Sequence, residues 1–153
     1  MNETINIAIV GFGNIGSYFY KVLEKNKMNI SIKTGKKPTV KYICAKNINK
    51  KRLIKIPKSK WVKNPLNIPL MGKVDIIFEL IGGSEGVAKK LVFSALKNKI
   101  NVITANKALM AKYGDQLAYL AEKNHVNLEY EASVAGGVPI IRSIKDGLIA
   151  NKI

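Results

Sequence analysis

Ile5-Asn-Ile-Ala-Ile-Val-Gly-Phe-Gly-Asn-Ile-Gly16 is a short, almost wholly apolar run that breaks into three glycines spaced by two and three residues. An apolar run of that length reads as a strand covered on both faces, the habit of parallel sheets. The residues that follow, 14–25, place Ile15, Phe19, Val22 and Leu23 at helical spacing. A G-x-G-x-x-G pattern by itself is weak, but one that closes a strand and opens a helix has a physical task. Gly11 permits the tight turn, Gly13 lets a pyrophosphate approach the backbone, and Gly16 lets the helix pack close to the strand. The helix N-terminus adds amide donors and partial positive charge, so the stretch reads as a cradle for dinucleotide phosphates.

Outward from this stretch the pattern repeats. Residues 31–38 are polar, with Gly35 and Pro38, and read as a loop. Residues 40–45 form a second strand. The basic segment 46–71, with Pro57, Pro65 and Pro69, supports at most one short helix near 49–54. Residues 74–81 make a third strand closed by Gly82 and Gly83, and Ser84 is placed to cap a helix over 85–97. A strand over 100–104 leads to a helix over 107–123, marked by Leu109, Leu117, Leu120 and Ala121. Residues 127–132 make a fifth strand, and Gly136-Gly137 leads through Pro139 into a helix over 139–150. Strands alternating with helices at these lengths specify an α/β fold, a Rossmann-type doubly wound parallel sheet, as a single domain over 1–153.

At 153 residues and 47% hydrophobic content the chain can bury a real core. No apolar run approaches the roughly 20 residues needed to span a bilayer, and the amino terminus lacks a basic-apolar-small leader. A lone Cys44 in an apolar stretch reads as a buried, inert thiol in a reducing, cytoplasmic setting. One histidine, His125, set between a helix and a strand, reads as solvated, and with one cysteine it cannot frame a zinc site. No Gly-x-Ser-x-Gly elbow is present, which removes the serine-hydrolase class. Trp61 and its neighbouring prolines read as cover for a sheet edge.

The net charge of +16 raises nucleic acid as a partner. All but two of the 26 basic residues are lysines, however, so the arginine forks used for base reading are nearly absent. Abundant Lys, Ile and Asn are what an AT-rich coding sequence produces. Compositional drift is therefore preferred to nucleic-acid binding, and anionic small molecules are attracted in either case.

Parallel sheets bind ligands outside the carboxyl ends of their strands. Gly11, Lys46, Gly82 and the segment 104–107 all fall at such ends, so Lys107 is expected in the crevice that holds the dinucleotide. An ammonium beside a nicotinamide can stabilise a developing alkoxide or deliver a proton during hydride transfer to a carbonyl. The second strand ends not in the acid that accepts from ribose hydroxyls but in Lys46 and Asn47, with Lys50, Lys51 and Arg52 behind. Cations there suit a 2′-phosphate, and NADP is expected over NAD.

Four stretches resemble the homoserine dehydrogenases: Gly11-Phe-Gly-Asn-Ile-Gly16, Glu79-Leu-Ile-Gly-Gly83, Val102-Ile-Thr-Ala-Asn-Lys-Ala-Leu-Met-Ala111 and Glu131-Ala-Ser-Val-Ala-Gly-Gly-Val-Pro-Ile-Ile141. The resemblance implies interconversion of L-homoserine and L-aspartate 4-semialdehyde with NAD(P)(H), on the route to threonine, methionine and isoleucine. It implies that Phe12, Asn14 and Ile15 touch the cofactor beside the three glycines. Lys46 falls where relatives often carry an arginine for the 2′-phosphate, and Asn47 where many have an aspartate. Gly82, Thr104 and Ala105 join the cofactor site, and Lys107 matches the catalytic lysine. It further implies a sodium ion held by Glu131 and by carbonyls of Val134, Gly136 and Val138. Read without the family, Glu131 is a carboxylate at a strand end, and both readings stand at this point.

In that family the pattern continues into a substrate domain, so 135–153 is expected to begin the hinge into it. Alone, this sequence is expected to be a poor catalyst, and its expected partners are the small-molecule substrate and either a homo-oligomer or a complementing substrate domain. The competing expectations are a stand-alone NAD(P)-binding module without turnover and a basic nucleic-acid-binding protein.

Overall fold

The computed structural model describes residues 3–147 apart from 51, 53 and 137. Strand β1 (Glu3–Val10) runs into helix α1 (Asn14–Thr34), and strand β2 (Lys36–Cys44) follows after a single residue. Two 3-10 turns, Lys58–Lys60 and Pro65–Leu70, occupy the proline-rich segment. Then come β3 (Ile76–Glu79), α2 (Val87–Lys97), β4 (Asn101–Thr104), α3 (Lys107–Asn124) and the two-residue β5 (Leu128–Glu129). A 3-10 turn at Glu131–Ser133 precedes α4 (Ile140–Arg142), which relaxes into a π turn over Ser143–Gly147. The five strands form one sheet in the order β2-β1-β3-β4-β5, every pair parallel. This is the expected Rossmann-type α/β fold.

Alternation along β1 divides the core. Ala8 and Val10 face a cluster built with Leu91, Val92, Ala95 and Leu96 of α2 and Leu109, Leu117 and Ala121 of α3. Ile7 and Ile9 face the other way, packing with Leu23, Phe19 and Ile30 of α1 and with Val40 and Ile43 of β2. Residues 7–10 of β1 are therefore buried on both faces, which is why that half of the strand is continuously apolar. At the amino ends, the Asp75 carboxylate accepts from the Asn6 backbone N–H at 2.6 Å and from its side-chain amide at 3.2 Å.

Several boundaries differ from expectation. Residues 31–38 are not a loop: α1 continues to Thr34 and β2 starts at Lys36, with Gly35 the one residue between. Ile30, Ile32 and Thr34 are poor helix formers. The last turns hold because Ile30 packs on the core and the Thr34 hydroxyl donates to Ile30 O at 2.7 Å. Gly35 ends the helix in the left-handed region (φ 70°), its N–H donating to Ser31 O at 3.0 Å. Pro38 is tolerated inside β2 because β2 is an edge strand. Ser84 is not the cap of α2; Gly86 holds that position, with no side-chain cap. The expected fifth strand shrinks to Leu128–Glu129 because the chain turns into 3-10 geometry at Glu131. Ile15 and Val22, which mark the helical spacing in the sequence, are exposed on α1. No helix forms at the described residues between 49 and 54, and residues 51 and 53 of that expectation, like 148–150 of the last helix, lie outside the described residues. Among the described residues no helix is long and apolar enough to cross a membrane.

Gly35→Ala forces a Cβ into the left-handed region where nothing else obstructs it. The expected cost is about 1 kcal/mol of stability, read as a lower urea midpoint at unchanged denaturant slope.

Candidate functional site

The β1–α1 turn is built on one acceptor. Cys44 O, at the end of β2, receives the N–H groups of Gly11 and Phe12, each at 3.0 Å. Gly13 N–H then donates to Gly11 O at 2.9 Å, and Ser17 N–H reaches Gly13 O at 3.0 Å as the first rung of α1. Amides ahead of that rung have no acceptor inside an α-helix and open towards the loop mouth. The three glycines differ in what a side chain would meet. A Cβ at Gly11 (φ 106°) would lie 2.4 Å from the Leu80 carbonyl carbon and oxygen, and one at Gly16 would lie 2.5 Å from Gly11 O. One at Gly13 would meet nothing within 4 Å. Gly11 and Gly16 thus close the turn on the protein, and Gly13 leaves space outside it, which fits a phosphate group at that point.

Between the carboxyl ends of β2, β1 and β3, where the strand order reverses, lies a cavity of about 600 Å³. The glycine turn, 44–47, Leu80 and Ile81 line it, joined by Lys50, Arg52 and Lys63. Four cations thus border the cavity with no carboxylate among its lining residues. Lys46 and Asn47 line it and are exposed; Asn14 and Ile15, at the start of α1, are exposed but do not line it. Phe12 is buried, its ring edge-on to Tyr20 and Trp61, so its side chain supports the turn from beneath. The Cys44 thiol is buried as expected, and desolvation raises its pKa.

Lys63 had no role expected from the sequence, and Arg52, expected among the cations for a 2′-phosphate, is placed differently. Lys63 arrives because Trp61 bridges Ile43 in parallel, with Val62 N–H donating to Ile43 O at 2.9 Å. The apolar pair Trp61-Val62 in a lysine-proline segment is the sequence trace of that contact. Arg52 is a pin rather than a free cation. Its guanidinium donates to the carbonyls of Asn47 (2.6 Å), Ile48 (2.8 Å), Lys50 (2.9 Å) and Phe12 (3.4 Å) and lies 4.9 Å from the Trp61 ring centre. It ties the loop after β2 to the glycine turn.

The far side of the crevice is held by Glu79, fully buried at the end of β3. One carboxylate oxygen accepts from the N–H groups of Ile81 (2.8 Å) and Gly82 (3.3 Å), the other from the Thr104 hydroxyl (2.5 Å). Thr104, expected at the cofactor, is itself fully buried, and its oxygen accepts from Asn106 N–H at 3.0 Å, so its hydroxyl is engaged within the protein. Asn106 caps α3 by accepting from Leu109 N–H at 3.1 Å, while its amide nitrogen donates to Gly83 O at 2.7 Å. Gly82 stands exposed at φ 87°, and Ala105 is half-buried. Lys107, the first residue of α3, is exposed and forms no ion pair among the described residues. It does not line the cavity; it stands on the same carboxyl rim, two strands along from Gly11, about 10 Å by strand spacing. Beyond it, Glu85 accepts from Lys112 (2.7 Å) and from the Tyr113 hydroxyl, and these bonds hold its carboxyl down to about 2.

The residues expected at sodium do not line this cavity; they lie after β5, in the turn leading to α4. Glu131 accepts from the N–H groups of Ile141 and Arg142, each at 3.0 Å, one on each oxygen, and so caps α4. Val134 is extended, Gly136 is left-handed (φ 68°) and Val138 is exposed; Gly137 lies outside the described residues.

Comparison with known proteins agrees with this geometry. Residues 11–131 match the family profile of the homoserine dehydrogenase NAD-binding domain. Homoserine dehydrogenase of Neisseria gonorrhoeae is 39% identical over 151 residues, which is 99% of this chain and 34% of that protein. Among solved structures, a homoserine dehydrogenase from Thiobacillus denitrificans superposes with a TM-score of 0.85 at 35% identity, covering 99% of this chain and 35% of its own. That of S. aureus at pH 8.5 gives 0.82 at 39%, covering 90% and 34%. The chain spans about a third of the length of the relatives it matches.

The contrast among the glycines is testable by substitution. Gly13→Ala should change stability by less than about 0.5 kcal/mol, yet weaken dinucleotide binding about tenfold or more by blocking close approach. Gly11→Ala, strained and overlapping the Leu80 backbone, should cost about 3 kcal/mol or more in stability. Chemical denaturation and fluorescence titration measure the two effects separately.

Proposed function

The chain belongs to the homoserine dehydrogenase family, matching its NAD-binding domain, and from that premise we propose that it binds a nicotinamide dinucleotide, NADP in preference to NAD, for the reduction of L-aspartate 4-semialdehyde to L-homoserine and its reverse. The observation behind this reading is the composition of the cavity: an open Gly13 at the phosphate turn, with Lys46, Lys50, Arg52 and Lys63 around it and no carboxylate lining it. An acid would accept from a 2′-hydroxyl; lysines favour a 2′-phosphate through charge-assisted hydrogen bonds. Arg52 is engaged with loop carbonyls, so Lys46 and Lys63 are assigned to the phosphate.

The placement of the second half follows from shape. With the adenosine at the end of β2 and the diphosphate over the glycine turn, an extended dinucleotide has only the β3–β4 side left for its nicotinamide. Lys107 stands on that side. When bound, the nicotinamide supplies or accepts the hydride. Lys107 would then place an ammonium beside the substrate oxygen, neutralising the charge that develops there and giving up a proton as the carbonyl becomes a hydroxyl. The lack of an ion pair to it among the described residues leaves the cation available for this.

The substrate itself is assigned to a further domain, and residues 135–153 to the hinge towards it. Val138, Ile140 and Ile144 are exposed there, which suits burial against that domain or a second copy. Glu131 is committed to capping α4, and no step of the proposal is routed through a metal. For this chain alone, binding without turnover is the expected behaviour, because hydride transfer needs a substrate held in near-attack geometry.

Fluorescence titration should show NADPH binding about tenfold more tightly than NADH, a margin within the range of one charge-assisted hydrogen bond. Lys46→Ala combined with Lys63→Ala should remove that margin while leaving NADH affinity within about threefold. Equal loss for both dinucleotides would overturn the 2′-phosphate assignment. In a complete enzyme carrying this domain, Lys107→Ala should leave NADPH affinity within several-fold and lower semialdehyde-dependent NADPH oxidation by about a hundredfold or more.

A further inference from the structure

Glu79 is the one ionisable carboxylate fully buried among the described residues. Isolating a carboxylate from water is costly unless hydrogen bonds replace the solvent. The end of a strand that needed only packing would be better served by an apolar residue. All the side-chain hydrogen bonds of Glu79 go to groups at the rim of the crevice: the amides of Ile81 and Gly82 on one oxygen and the Thr104 hydroxyl on the other. From Thr104 the chain of bonds continues to Asn106 N–H, and from the Asn106 side chain back to Gly83 O. The bonds close a ring through the turn at 81–83 and the turn that starts α3, with Lys107 the next residue after Asn106.

We infer that Glu79 is a positioning residue for Lys107. Its carboxylate fixes the 81–83 turn, which carries left-handed glycines at 82 and 83, in register with the residue that caps α3. A dinucleotide lying across the rim touches that turn first, since Ile81 lines the cavity and Lys107 does not. The ring then transmits the seated position of the turn to Lys107, so occupation of the cavity and placement of the ammonium are coupled. This inference rests on the dinucleotide reading above and adds to it a physical link between the phosphate side and the lysine side of the crevice.

The test uses the full chain and two variants. Glu79→Gln keeps the size and one acceptor oxygen but presents an amide nitrogen that cannot accept from Thr104. Asn106→Asp keeps the cap on Leu109 N–H but loses the donor to Gly83 O, and serves should Glu79→Gln fail to fold. Lys107 acylation is followed by mass spectrometry with and without saturating NADPH, each variant being referred to its own free state. In the unaltered chain NADPH should slow acylation of Lys107 about tenfold, a coupling of ordinary size. Either variant should bind NADPH within about threefold of the unaltered chain yet show less than about twofold protection of Lys107. Protection in the variants equal to that in the unaltered chain overturns the positioning role while leaving the dinucleotide reading intact. NADPH binding to the unaltered chain without protection of Lys107 also overturns it. Absence of NADPH binding defeats the dinucleotide reading, and the positioning role with it.

Discussion

The approach of the Gly11 backbone to the Leu80 carbonyl sets the geometry of everything around it. Any Cβ at position 11 would lie 2.4 Å from that carbonyl, so the turn can sit against the end of β3 only if residue 11 has no side chain. The same turn is drawn to β2 by the two amides that share Cys44 O. Held from both sides, the start of α1 is centred where the strand order changes direction, and its free amides face the one place on the sheet where neighbouring loops diverge. The cavity is a consequence of that placement. The loops after β2 and β3 part around a turn that cannot move.

Charge on the rim follows the same division. On the β2 side the crevice is bordered by lysines and Arg52; on the β4 side the turn at 104–107 offers buried hydrogen-bonding groups and one exposed ammonium. A polyanion is thus attracted at one end and left with a single cation at the other. In the proposed function this separates the work of holding a ligand from the work of stabilising charge during reaction. The large net charge of the chain would obscure this if only the total were considered. What matters locally is the absence of carboxylates from the cavity wall.

Much of this was readable in the sequence because it depends on periodicity or on glycine. The parallel strands, the three helices around them and the glycine turn all follow from apolar runs and spacing. Position 104–107 was legible as a strand end followed by a helix start. Other features depend on contacts that sequence does not display. The last turns of α1 look like a loop because the stretch is polar and holds Gly35 and Pro38, yet packing by Ile30 and the Thr34 hydroxyl bond keep them helical. Ser84 has the right residue type for a cap, but Gly86 makes the turn. Lys63 reaches the cavity through a bridge between Trp61 and Ile43 that joins residues 18 apart, with no periodic signal. Glu79 reads as an ordinary interruption in an apolar strand until its partners, 2, 3 and 25 residues away, are seen together.

Arg52 holds the loop after β2 almost wholly through carbonyl oxygens, and carbonyls belong to the backbone of any residue. Lysine, with one compact ammonium, could not span four such acceptors; the planar guanidinium can. These fastenings are therefore independent of the side chains at the three loop positions that accept them. The carbonyls of 47, 48 and 50 would accept these bonds whatever side chains those positions carry, which leaves Asn47 and Lys50 to face the cavity. One arginine thus carries the fastening that several side chains of the loop would otherwise have to share.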